Sequence, residues 1–265
     1  MTITIAFAGK GGVGKTTLSA LTIRYLAGLG AGPVLAVDAD PSSNLNLLLG
    51  LDLDRTVSEL REGMLEQVKQ TLMQGGAAMG TLPGGQTKRD YLDLGIRNAL
   101  VEGKDVDLVA MGRGEGPGCY CAVNHNLREV LDAVSRSYAF VVIDNEAGLE
   151  HLSRRTTRGV QHLFIVSDAG PRGLVTAERV AAFRHEIDIA IEHTHLIVNR
   201  APGTLPTALT DRIATLDVPL AGVIPADPAL TELELAGRPV WDATPDMPEV
   251  AALTVLLDRV FAQRP

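Results

Sequence analysis

Ala8-Gly9-Lys10-Gly11-Gly12-Val13-Gly14-Lys15-Thr16-Thr17 follows the apolar run Ile3 to Phe7 and leads into a helical pattern that begins near Thr17. Gly9, four residues, then Gly14-Lys15-Thr16 is the spacing of a phosphate-binding loop, and a strand before and a helix after are the context it requires. Glycines at 9, 11, 12 and 14 let successive backbone N–H groups turn inward around an anion. The helix that follows presents the positive end of its dipole at the same point. On this reading Gly11, Gly12, Val13, Gly14 and Thr17 cradle the phosphates of ATP or ADP, and Lys15 neutralises the outer ones. Thr16 offers its hydroxyl to a magnesium ion, which prefers oxygen ligands. A glycine-rich turn without a ligand is the plainer alternative.

Working outward, Leu18, Leu21, Tyr25 and Leu26 fall at a spacing that buries one helical face, and Gly28, Gly30 and Gly32 end the helix. Pro33 to Val37 is a short apolar run suited to a strand buried on both faces, and it delivers Asp38 and Asp40 at its carboxyl end, the edge where open α/β sheets bind ligands. Asp40 before Pro41 can also be read as the cap of a helix starting there. Val106 to Met111 and Phe140 to Ile143 read as further strands, the latter ending in Asp144, a carboxylate placed to support magnesium through its water shell. Leu163 to Val166, Leu196 to Val198 and Ala221 to Ile224 complete the strand set, with a helix from about Leu174 to Ile187. The expected fold is therefore α/β, a mostly parallel twisted sheet with helices on both faces.

With 265 residues and a 46% apolar composition, one domain spanning 1–265 is expected, with a helical insertion at about 51–104. There Leu60, Met64, Leu65, Val68 and Leu72 keep helical spacing, Gly75 to Gly85 forms a break, and Tyr91 to Leu100 reads as a second short helix. The net charge of -8, from 24 basic and 32 acidic residues, argues against nucleic acid as the main partner. Met1 leads directly into a strand pattern and every long apolar stretch is interrupted, so a cytoplasmic protein without membrane attachment is expected. Val250, Leu253, Leu257, Val260 and Phe261 form a stripe for core or dimer packing, and the mixed charges around it do not suit a membrane helix.

The run Lys10-Gly-Gly-Val-Gly-Lys15-Thr resembles the deviant P-loop of the MinD/ParA/nitrogenase-iron-protein class. The resemblance implies a homodimer closed face to face over two nucleotides, with Lys10 acting in trans on the partner's nucleotide. It also implies that Asp40 orients the attacking water, that Asp38 holds the magnesium shell, and that Gly148 senses the terminal phosphate. Asn199 would read adenine, with Arg200 in place of the usual lysine, and Pro225-Ala226-Asp227 would close over the base. Glu146 departs from the proline many relatives carry in this switch.

The loop Gly112 to Gly118 runs into Cys119-Tyr120-Cys121. Two inert cysteines are the default reading of so short a motif. Two thiolates are also half of a tetrahedral sulfur shell, which a two-fold axis would complete from a second copy. Such a shell suits zinc, nickel or an iron-sulfur cluster. Together with Asp144-Asn145-Glu146-Ala147-Gly148-Leu149-Glu150-His151, the pair resembles the carbon monoxide dehydrogenase maturation ATPases of the CooC type. That likeness implies an intersubunit nickel or zinc site at Cys119 and Cys121, and carbon monoxide dehydrogenase as client. His125 is read as part of the start of a helix from Asn126 rather than a ligand, and His151 equally as a neighbour of the Gly148 switch or as an exposed helix residue. The rival readings are a partitioning or positioning ATPase that binds DNA or membrane, and an iron-sulfur reductase like the nitrogenase iron protein.

Overall fold

The computed structural model describes residues 2–73, 87–113, 129–146, 159–184, 186 and 189–262; Cys119, Cys121, His125, Gly148 and His151 lie outside them. Among the described residues eight strands form one sheet in the order β3-β4-β2-β5-β1-β6-β7-β8, namely β1 Ile3–Gly9, β2 Val34–Asp38, β3 Val101–Glu102, β4 Val106–Ala110, β5 Phe140–Asp144, β6 Gly159–Asp168, β7 Ala190–Ala201 and β8 Leu220–Pro225. All pairings are parallel except β3 on β4. The expected mostly parallel sheet is what forms. From β1 the chain first runs outward on one side to β2 and β4, returns to insert β5, then builds β6 to β8 on the other side. This reversal opens a crevice at the carboxyl ends of β1, β2, β5 and β6.

Strand alternation sorts the apolar side chains onto two faces. Ile5, Phe7, Ala36, Val142, Phe164 and Ile197 pack toward α1 (Lys15–Gly28) and α8 (Pro248–Phe261), whereas Ala6, Ala8, Val37, Ile143, Leu163 and Val198 face the other layer. That second layer includes α3 (Val57–Met73), α4 (Lys88–Ala99), α5 (Pro171–Phe183) and α6 (Thr207–Ala214). Among the described residues the remaining helices are α2 (Leu45–Leu49) and α7 (Pro228–Leu235), and residues 129–135 are helical as well.

Several boundaries differ from the sequence expectation for identifiable reasons. α1 does not bury one face only: Leu18, Ser19, Ala20, Leu21, Thr22 and Ile23 are all buried, because the helix is enclosed by β5, α2 and α8 together. β6 and β7 are longer than their apolar centres, since Gln161, His162, Glu192 and His193 extend them on half-exposed ends where polar residues mask the strand pattern. No helix starts at Pro41: Ser43 takes a left-handed turn with φ of 46°, and α2 begins only at Leu45. The C-terminal stripe is core, with Val250, Leu253, Leu257 and Phe261 buried.

Within residues 51–104, Met64, Leu92 and Ile96 are fully buried in the same cluster as Ala6 and Val109. Met64→Ala is therefore expected to destabilise the whole fold by about 2–5 kcal/mol, the cost of a large-to-small change in a packed core. Urea unfolding followed through Trp241, the single tryptophan, checks this; an unmoved transition would show that α3 unfolds separately.

Candidate functional site

The phosphate loop leaves β1 hard against its neighbour. Gly9 has φ of 147°, and a Cβ there would lie 2.1 Å from the carbonyl oxygen of Val166 on β6, so the first motif glycine is a packing requirement. Gly14, at φ 90°, caps α1 from the left-handed region, and a Cβ on it would meet Asn199 Nδ2 at 2.5 Å. Behind the loop, fully buried Asn199 donates from Nδ2 to the Val13 carbonyl at 2.9 Å, and Arg200 donates from Nη1 to the Gly12 carbonyl at 3.0 Å. The two residues expected at the base thus also hold the loop from behind. Among the described residues Asn199 Oδ1 is buried without a partner, an acceptor left open to a further donor.

Beneath the loop, β2 and β5 put Asp38 and Asp144 in register at adjacent strand ends. Asp144 is 1% exposed and accepts from the hydroxyls of Thr16 and Ser19, the latter at 3.1 Å. Asp38 is equally buried; its Oδ1 accepts the Asp40 N–H at 3.1 Å and its Oδ2 the Leu45 N–H at 2.9 Å. Asp40 in turn accepts the Ser42 N–H at 2.8 Å, a local turn in place of the helix cap the sequence also allowed. Burial raises the Asp144 pKa to about 7, with repulsion from Asp38 adding to it, and burial raises Asp38 to about 6. Lys15 is buried beside them and donates to the Lys10 carbonyl at 3.1 Å. Desolvation lowers its pKa, while Asp144, Asp40 and Glu146 partly restore it.

A cleft of about 690 Å³ opens over this floor, lined by Gly12, Lys15, Thr16, Asp40, Glu146 and Arg200 among others. A larger hollow of about 1010 Å³ lies at the opposite ends of the strands, away from these groups. A magnesium nucleotide fits the donor set of the cleft. Thr16 and the two strand-end carboxylates would support the cation directly or through water, and the loop amides with Lys15 would hold the phosphates. A divalent ion would supply charge neutralisation where two buried carboxylates stand side by side. Pro225 ends β8 opposite Ala201, and Asp227 just after it caps α7 by accepting the Ala229 N–H at 3.0 Å. Lys10 does not line the cleft; its Nζ lies 3.8 Å from Asp168 Oδ2 of the same chain. Among the described residues no group of three or more His, Cys, Asp or Glu side chains is arranged to hold a metal ion, and the cysteine pair falls outside them.

Residues 4–240 match the profile of the CobQ/CobB/MinD/ParA nucleotide binding domain. The chain belongs to this family. It is 40% identical over 238 residues to an uncharacterized ATP-binding protein of Methanocaldococcus jannaschii, covering 90% of each chain. It is 31% identical over 268 residues to the carbon monoxide dehydrogenase accessory protein CooC of Rhodospirillum rubrum, covering 97% of each. Among solved structures it is similar to the septum site-determining protein MinD of Pyrococcus horikoshii, complexed with Mg-ADP, at 25% identity and a TM-score of 0.66, covering 99% of this chain and 98% of that one.

Three participants escaped the sequence reading. Ser19 sits three residues after Thr16 on α1 and so reaches the same carboxylate, a helical spacing that was there to be read. Asp168 ends β6 beside β1, a strand-end position like those of Asp38 and Asp144. Glu234 on α7 accepts the Thr17 hydroxyl at 2.7 Å, and nothing in the local sequence signals that approach.

Because Asp144 titrates higher in the folded chain than the ordinary aspartate value of 3.8, its protonation favours the fold, and that contribution is lost as pH rises through about 7. Asp144→Asn is expected to stabilise the nucleotide-free protein by about 2–4 kcal/mol at pH 8, with the gain vanishing toward pH 4. Urea melts of both proteins across that range measure the difference.

Proposed function

We propose that this chain is a magnesium-dependent ATPase acting as a homodimer in the cytoplasm, and that its hydrolysis cycle drives metal delivery to a carbon monoxide dehydrogenase. The observation that carries the reading is the 31% identity to CooC over 97% of both chains, on a sequence that also has Cys119 and Cys121. Phosphoryl transfer asks for positioning and charge stabilisation rather than covalent chemistry. In this reading Lys15 and the loop amides hold the outer phosphates, Asp40 orients the attacking water, and Lys10 reaches the partner's nucleotide. Gly148 follows the terminal phosphate, and Asn199, Arg200 and Pro225 surround the base. Lys10 must then leave Asp168, an exposed pairing of the kind worth about 0–1 kcal/mol and so readily exchanged for a phosphate. Cys119 and Cys121 from two copies hold nickel or zinc as cargo.

Lys10→Ala is expected to keep nucleotide binding while lowering turnover by about 10³-fold or more, the range found for a charge supplied in trans; unchanged turnover would remove the dimeric mechanism. Metal analysis of anaerobically purified protein is expected to find about one ion per dimer, as for a four-thiolate site. Cys119→Ser with Cys121→Ser should abolish it, and retention of the metal would reject the delivery role.

The likeness to MinD favours a second reading, a positioning ATPase. No helix of the described residues is long and apolar enough to cross a membrane, and the charge of -8 does not suit DNA. ATP-dependent sedimentation with liposomes, or salt-sensitive retention on DNA, would favour this reading over metal delivery.

A further inference from the structure

Three of the chain's six histidines, His162, His193 and His195, stand together at the amino ends of β6 and β7, at the opposite end of the sheet from the phosphate loop. Here β6 and β7 overrun their neighbours: β1 joins β6 only from His162 onward, and β8 joins β7 only from Leu196 onward. His162 Nδ1 and His195 Nε2 lie 3.1 Å apart. A hydrogen bond between two imidazoles has room for one proton, because one nitrogen donates and the other must be bare to accept. A second proton at the contact would set N–H against N–H.

The surroundings join this pair to two further elements, α8 and α1. His193 stacks on His162 with centroids 5.3 Å apart, and Phe164 stacks on His195 at 5.0 Å. Phe261, the last residue of α8, meets the His162 ring edge-on at 5.2 Å and stacks on Tyr25 of α1 at 6.4 Å. The charged groups around the adjoining hollow are His193 and Glu192 of β7, Arg184 after α5, Asp217 before β8, and Arg259 of α8. The carboxylates are engaged elsewhere: Asp217 pairs with Arg184 at 2.8 Å, and Glu192 accepts from Gln161 at 3.0 Å. On α8, Asp258 accepts the Tyr25 hydroxyl at 2.7 Å.

We propose that the His162–His195 pair is an acid-sensitive clasp, whose double protonation parts β6 from β7 at this end and releases the last turn of α8 with Phe261. The phosphate-loop end of the sheet stays folded when this happens. Burial, then the charges of His162 and His193, lower the His195 pKa to about 4, so the clasp is closed at neutral pH. A histidine that titrates lower folded than unfolded contributes stability that is lost as pH falls from about 6.5 through the folded value. Asp38, Asp144 and Glu249 are shifted the opposite way, so the clasp is isolated only as a difference between wild type and variant.

The test is amide hydrogen exchange of the full chain over 256–261, corrected for intrinsic rates, from pH 7 to pH 4.5. In the wild type, protection of this turn is expected to fall by up to about tenfold per pH unit below pH 6, while β1 and β5 stay protected. In His195→Gln and in His162→Gln the extra loss should disappear. Equal acid loss in wild type and variants, or loss spread evenly over the sheet, would overturn the clasp. Should neither variant fold, imidazole NMR of the wild type decides: His195 remaining neutral down to about pH 4 supports the proposal, and titration near 6.5 refutes it. None of these readouts depends on ATP hydrolysis or on a metal.

Discussion

Two carboxylates held out of water side by side are the constraint on which the rest of this molecule depends. Parallel pairing of β2 with β5 places Asp38 opposite Asp144, both almost wholly buried; burial raises both pKa values, and the charge of Asp38 raises Asp144 further. Desolvated like charges are among the most costly arrangements a fold can hold without compensation. Here the compensation is partial: backbone N–H groups serve Asp38, hydroxyls from α1 serve Asp144, and a buried Lys15 stands nearby. A site so short of positive charge has the donor set that a cation and a phosphate chain would complete.

The surrounding architecture follows from keeping that arrangement rigid. The loop is pinned from below by the carbonyl of Val166, which leaves no space for a side chain at Gly9, and from behind by Asn199 and Arg200. α1 carries Lys15, Thr16, Thr17 and Ser19 from the loop into the core and is buried around most of its circumference. It also touches α8, so the nucleotide end and the C-terminal helix share one packed layer. The histidine pair lies in that layer at its other extremity, where Phe261 and Tyr25 join α8 to α1.

Membership of the CobQ/CobB/MinD/ParA family accounts for the shared nucleotide machinery and leaves the working partner to each member. The proteins similar to this one include a carbon monoxide dehydrogenase accessory protein and a septum site-determining protein, so chains similar to this one carry different names for different roles. This chain also carries an acidic balance, a cysteine pair and a histidine cluster, none of which the phosphate loop requires.

The amino-acid sequence by itself determined the phosphate loop, the strand ends carrying Asp38 and Asp144, and the parallel sheet, because each rests on short-range spacing: motif glycines, apolar runs, and a carboxylate at the last strand position. Even there, half-exposed polar ends hid the true lengths of β6 and β7, since alternation is legible only while one face is apolar. Tertiary structure alone decided what meets across the fold. Asn199 reaches Val13 from 186 positions away, Thr17 reaches Glu234 over 217, and His162 meets His195 over 33. Those contacts depend on strand order and crossover geometry, which no local pattern encodes, and through them an expected base-reading residue also becomes a brace for the phosphate loop.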